Sequence, residues 1–427
     1  MSRFLSLIIM VALAGCTGRS RQEAPNTIVS MQVIDRNGFS ETISNKDRLS
    51  SYQKVNFLTP QPYEKVLRVY GKNQEGKSSS RINSYHTNGQ TCQYLEIVDG
   101  RAHGKYLEWH ENGQLKIEAT VIEGIADIND AAKASWLFDE KSSVWDEEGL
   151  LVAEIYYDKG ILSAPSRYYY PDGALKQVIP YDKDNIEGEA VSYYPSGSLL
   201  EKCAFTAGKR NGEAVGCWEN KQVKFEENFE DGLLITGTYF TLQGEPLGGI
   251  EKGHGKQAIF EEGLLASLIE YRAGAPEGKV ELFRTDGSLS GICHIKGDMK
   301  EGEEWEYYPP KKTGELKPKL FLNWHEDAIQ GQVKTWYDNG ILESQREING
   351  SKKQGLGFAW YKSGALMLSE EYENDLLVKG SYYKNGDKNA VSRIEEGKGT
   401  ATLYTPEGLF LRKISYDKGR PHLEEMP

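Results

Sequence analysis

Apolar and polar residues alternate in short runs along most of this chain, and glycine punctuates the runs at a regular interval. Ile117, Ala119 and Val121 stand two apart in one run, and Ala153, Ile155 and Tyr157 in the next. Period-two alternation places such residues on one face of a β-strand. The punctuating glycines are Gly89, Gly113, Gly149, Gly173, Gly197, Gly244, Gly263, Gly287, Gly314, Gly340, Gly364, Gly386 and Gly408, with Lys221 in one glycine place; most steps are 22 to 27 residues. A fixed period of this size marks a repeat architecture. The long step from Gly113 to Gly149 carries an insertion near 125–138.

The repeated text is aromatic, aromatic, any residue, Asn/Asp/Ser, Gly, any residue, Leu. It reads YYPDGAL at 169–175, YYPSGSL at 193–199, WYDNGIL at 336–342 and WYKSGAL at 360–366, with looser copies at 109–115 and 404–410. Pro-Asp-Gly and Pro-Ser-Gly fit a three-residue hairpin loop, a type I turn closed by a left-handed glycine. That register pairs the residue four before the glycine with the residue two after it, as in Trp109 with Leu115 and Trp336 with Leu342. The pairs would form an aromatic–aliphatic stripe on one face, with Ile117, Ala119 and Val121 continuing it. A second Gly-rich turn, GRAHG at 100–104 or GKRNG at 208–212, joins one hairpin to the next.

This text resembles the MORN-repeat family, in its bacterial YYxxGxL variant, often labelled a YwqK-type antitoxin repeat. The resemblance covers about residues 81–420. It implies an all-β fold, an elongated array of antiparallel β-hairpins forming one twisted open sheet. Residues 28–80 fall off the 24-residue ruler and are expected to be an N-terminal β cap, with an Asn37-Gly38 turn. Residues 421–427 are expected to be a tail.

Outside the repeat, an apolar run from Phe4 to Leu13 follows Arg3 and ends in Leu13-Ala14-Gly15-Cys16. A run this short falls below the ~20 residues of a membrane-spanning helix. It has the layout of a secretory signal with a lipidated cysteine at the cut. Residues 1–15 are thus expected to be a lipoprotein signal peptide, Cys16 the lipidation site (with palmitate among its chains), and 16–27 the lipidated N-terminus and a polar tether. Thr17 after the cysteine resembles an outer-membrane sorting signal of Gram-negative lipoproteins. The expected location is the cell envelope, with the membrane as one partner through the anchor. The net charge of −12 disfavours nucleic acid and anionic headgroups as further partners.

Candidate chemistry is sparse. The seven histidines show no HExxH or HxH spacing, and no phosphate-binding glycine motif occurs, so no metal or cofactor is expected. Cys293 and His294 are adjacent, so on a strand they point to opposite faces and cannot act together. Cys203 and Cys217 lie equally far from residue 210 in GKRNG, and a cross-strand disulfide between them is one reading. The second aromatic of each repeat, Tyr170, Tyr194, Trp218, Tyr337, Tyr361 and Tyr383, would lie opposite the core stripe as a row of exposed rings. Such a row can take a protein or stack on sugars, or it can be plain strand packing. The leading expectation is a non-enzymatic, protein-binding scaffold lipoprotein. A glycan-binding module is the alternative, and an enzyme with a site at the insertion the remote one.

Overall fold

The computed structural model describes residues 27–53, 55–61, 64–311 and 314–422. Cys16, the signal peptide and the tether lie outside these residues. The chain divides into two compact units, residues 1–173 and 174–427. In each, antiparallel strands pair mainly with their neighbours in sequence, and among the described residues no pairing returns the last strand of a unit to its first. The expected all-β hairpin fold is what the structure shows.

The first unit opens with β1 (Thr27–Asp35), β2 (Ser40–Ile43), α1 (Lys46–Tyr52) and β3 (Glu64–Lys72), with β1 between β2 and β3. The helix interrupts the expected β cap. Asn45 starts it by accepting from the Asp47 and Arg48 amides, satisfying two of its orphan donors. β4 (Ser78–Tyr85), β5 (Thr91–Val98), β6 (Arg101–Trp109) and β7 (Leu115–Glu123) follow as a meander, then α2 (Asp130–Lys133), β8 (Leu137–Trp145) and β9 (Leu151–Asp158).

Two kinds of turn alternate. At one edge the loop glycine has positive φ, its amide donates to the residue three before it, and that residue's amide donates to the one after the glycine: Gly89 to His86 and His86 to Gln90, or Gly340 to Tyr337 and Tyr337 to Ile341. This is the three-residue loop read from Pro-Asp-Gly, and the Asn-Gly copies share it. At the other edge Asp99-Gly100, Ala207-Gly208 and Lys418-Gly419 have positive φ at both positions, as a two-residue type I′ turn requires.

The predicted cross-strand pairs form: Trp109 faces Leu115, Tyr193 Leu199, Trp336 Leu342 and Trp360 Leu366. The stripe does not continue as expected. A register shift separates each of these pairs from the next, so Glu108 faces Ile117 and Tyr106 faces Ala119. A bulge of this kind sends the following alternation to the opposite face. Ile117, Ala119 and Val121 accordingly pack with Tyr106, Leu95 and Ile82, while Trp109 stays half-exposed. Each sheet therefore has a buried face of small and branched residues and an aromatic face carrying the Trp/Tyr–Leu pairs.

The second unit contains one arrangement twice. Leu234, Tyr239 and Ile250 in the first copy match Leu377, Tyr382 and Ile394 in the second, all buried. The Tyr239 hydroxyl donates to Glu227 (2.7 Å) and that of Tyr382 to Glu370 (2.8 Å). Three turns close a ring of hydrogen bonds in each copy. Leu234 N donates to Gly274 O, Gly274 N to Gly253 O and Gly253 N to Ile235 O; Leu377, Gly419, Gly397 and Val378 repeat it. A Cβ on Gly253 or Gly397 would lie 2.5 Å from the next turn's amide nitrogen, so only glycine fits.

Candidate functional site

The second aromatic of the repeat sits in the turn, not on the strand. Its ring lies along the stack of turns and its polar end reaches the following repeat. Tyr194 Oη donates to Cys217 O at 3.0 Å, Tyr337 Oη to Trp360 O at 2.8 Å and Tyr361 Oη to Tyr383 O at 2.6 Å. Trp218 Nε1 donates to Thr241 O at 3.2 Å, and Tyr308 Oη to Trp336 O at 2.7 Å. His86 and His110 do the same through Nε2, to Trp109 O and Trp145 O, and Arg284 reaches Tyr307 O. Loop asparagines add a second rung: Asn88, Asn112 and Asn339 donate to Glu111, Glu147 and Lys362 carbonyls.

This ladder corrects the expected row of exposed rings. Trp218, Tyr337 and Tyr361 are buried, Tyr361 completely, and Tyr170, Tyr194 and Tyr383 are half-buried. Burial pushes the Tyr337 and Tyr361 hydroxyls up to about 12, so they stay protonated as donors. Tyr383 is displaced by one place. A longer loop pairs it with Ala390, so it takes the first-aromatic role and its carbonyl receives Tyr361. These residues join repeats to one another. The sequence held a partial signal for this: where a rung forms, the position carries Tyr, Trp, His or Arg, all planar groups ending in a donor, while Asp146, Thr241 and Thr405 hold the same turn place in other repeats.

The Cys203–Cys217 disulfide is not formed, and both thiols are free. The turn centres on Ala207-Gly208, not on residue 210, so Cys203 faces Ala214 and Cys217 faces Val223. Burial pushes both thiols up, away from the reactive thiolate.

The insertion closes over the first unit's buried face. Trp136 packs against Tyr106 with centroids 4.8 Å apart, and its indole donates to Ile125 O. Beside it Glu108 accepts from Lys116 (2.7 Å), Lys133 (3.1 Å) and the Tyr106 hydroxyl. Burial opposes the charged carboxylate, but these donors outweigh it and hold Glu108 at about 2. The cluster is an internally satisfied ion network. The thiol of Cys92, nearby, is pushed up by burial. Among the described residues no group of His, Cys, Asp and Glu is placed to hold a metal ion, and no helix is long and apolar enough to cross a membrane.

The surface left for contact is the aromatic face. In the second unit Trp305 lies 4.6 Å from Phe321 and 5.8 Å from Trp336, centroid to centroid, and Phe358 lies 6.0 Å from Trp360. Lys334 caps the Phe321 ring. All five rings are half-buried, and neither buried cluster of this unit among the described residues includes them.

Comparison with known families bears on these hairpins directly. Four stretches match the MORN repeat variant. They are residues 102–122, 162–183, 186–206 and 329–349. These MORN-type stretches hold the turns at Gly113, Gly173, Gly197 and Gly340. No curated protein matches the chain. Among solved structures it is similar to one of the Photorhabdus luminescens Tc holotoxin pore, at 11% identity over 91% of this chain and 26% of that one, with a TM-score of 0.15. The chain thus spans about a quarter of the length of that protein chain.

Proposed function

We propose that this protein is a membrane-anchored, non-enzymatic scaffold that holds a protein partner on the aromatic face of its hairpin array. The supporting observation is the cluster of Trp305, Phe321, Trp336, Phe358 and Trp360, all half-buried, on one sheet face. Large planar rings give contact area at low entropic cost, and interface anchors are enriched in tryptophan. MORN-type repeats are consistent with such a role.

The test uses the full chain as bait on envelope extracts, with crosslinking, against a Trp336→Ser/Trp360→Ser variant. A stoichiometric protein whose affinity falls about tenfold or more in the variant supports the reading. Binding that ignores both substitutions removes it. A polysaccharide fraction retained in place of a protein moves the aromatic face to sugar recognition.

The anchor rests on the Leu13-Ala14-Gly15-Cys16 text. Cys16→Ala should abolish labelled-palmitate incorporation and release the protein from the membrane fraction. Full retention of the variant with membranes would sink this part of the reading.

A further inference from the structure

Lys224 lies on the strand Val223–Glu230 of the second unit, with its ammonium against two rings. Nζ stands 5.0 Å from the Trp218 centroid and 5.8 Å from that of Phe260, and the two rings meet edge to face at 5.0 Å. The residue is half-buried, and among the described residues no carboxylate lies within ion-pairing distance of it. Lys256, Lys279 and Lys300 are also half-buried but are matched. The first two hold Glu281 at 2.7 Å each, and Lys300 holds Glu304 at 2.7 Å.

The twin copy shows what this place requires. Counting three back from Glu227 and from Glu370 sets Lys224 against Met367, on strands paired alike: Phe225 faces Tyr239, and Leu368 faces Tyr382. The rings correspond as well. Tyr361 and Tyr404 stand for Trp218 and Phe260, and they too meet edge to face, at 6.4 Å. An unbranched apolar side chain serves in one copy, so the packing asks for the stem of Lys224 and not for its charge. Burial pushes the amine below its ordinary value, and Glu201, itself 3.6 Å from Arg210, opposes this more weakly. A desolvated lysine is the stronger nucleophile near neutral pH, because more of it is free base.

We propose that Lys224 is an acylation site, taking small acyl groups from activated donors of the acyl phosphate class. The amine attacks the acyl carbonyl and a C–N bond forms. The bond from the carbonyl carbon to the phosphate oxygen breaks, phosphate leaves, and the nitrogen gives its proton to water. The product is a neutral amide in a place that is apolar in the other copy.

The test treats the full chain with acetyl phosphate and reads each lysine by peptide mass spectrometry, with exposed Lys221 as the internal reference. Lys224 should react several-fold faster than Lys221 in the folded chain and at the same rate in urea. From neutral to alkaline pH its rate should rise less steeply than that of Lys221. Phe260→Ser, which admits water beside the amine, should bring the two rates together. Lys224→Met should keep the parent's urea midpoint or raise it. A folded-chain rate at or below that of Lys221, with the same pH profile, overturns the proposal. So does a clear loss of stability in Lys224→Met, since the ammonium would then be a structural cation held by its rings.

Discussion

Replacing Tyr361 by phenylalanine removes one oxygen atom and leaves the ring. Tyr361 is fully buried, and its hydroxyl donates to Tyr383 O at 2.6 Å. The substitution deletes that bond and leaves a carbonyl without its side-chain donor in a dry site. The cost of stranding a buried hydrogen-bonding group is about 1–3 kcal/mol. Tyr361→Ser also removes the ring and leaves a cavity, so about 3–5 kcal/mol is expected. An exposed contact tyrosine would behave differently, because surface substitutions usually stay within about 0.5 kcal/mol. The assay is urea unfolding of the full chain, followed by fluorescence and by hydrogen exchange at the 364 turn, since two units need not unfold together. Tyr337→Phe, one rung earlier on Trp360 O, should show a similar loss. A Tyr361→Phe protein as stable as the parent, with unchanged exchange at that turn, would refute the ladder as a source of stability.

Two further perturbations probe other parts of the chain. Gly253→Ala places a Cβ 2.5 Å from Gly274 N at φ +76° and should cost on the order of 4 kcal/mol, whereas Gly232→Ala, at φ +87° with open space around it, should cost about 1–2; melting of the two variants checks the order. Glu108 has its folded pKa depressed to about 2, so its contribution is complete above the unfolded value near 4.5 and is lost as pH falls toward 2. That shift corresponds to about 3 kcal/mol. Lys116→Met/Lys133→Met should therefore lower the urea midpoint at pH 7 and change it much less at pH 3, and equal losses at both would count against the network.

The repeat register was legible because glycine in a three-residue loop fixes which residues face each other, so Trp109–Leu115 follows from the text alone. What strand alternation could not give is the face of Ile117, Ala119 and Val121. The bulge that moves them leaves no fixed residue type of its own. The tyrosines were misplaced for a related reason: alternation governs strands, and Tyr194, Tyr337 and Tyr361 belong to turns. Cys203 and Cys217 depended on the centre of one turn, and a shift to Ala207-Gly208 was enough to separate them. The helix in the N-terminal cap hangs on Asn45 and a short run after it, too little periodicity to stand out.

Each rung of the ladder ends on a main-chain carbonyl, and every residue has one. The receiving side of the joint is therefore blind to side-chain identity, and the donating side accepts any of four residue types. His110 reaches Trp145 O across 35 positions and Tyr308 reaches Trp336 O across 28, where the rungs of Tyr337 and Tyr361 span 23 and 22; in the first case the insertion loops out between the partners without disturbing the bond. Such an array can gain, lose or interrupt whole hairpins by genetic duplication or deletion without any compensating change at the seam. The twin copies in the second unit are what that history would leave behind.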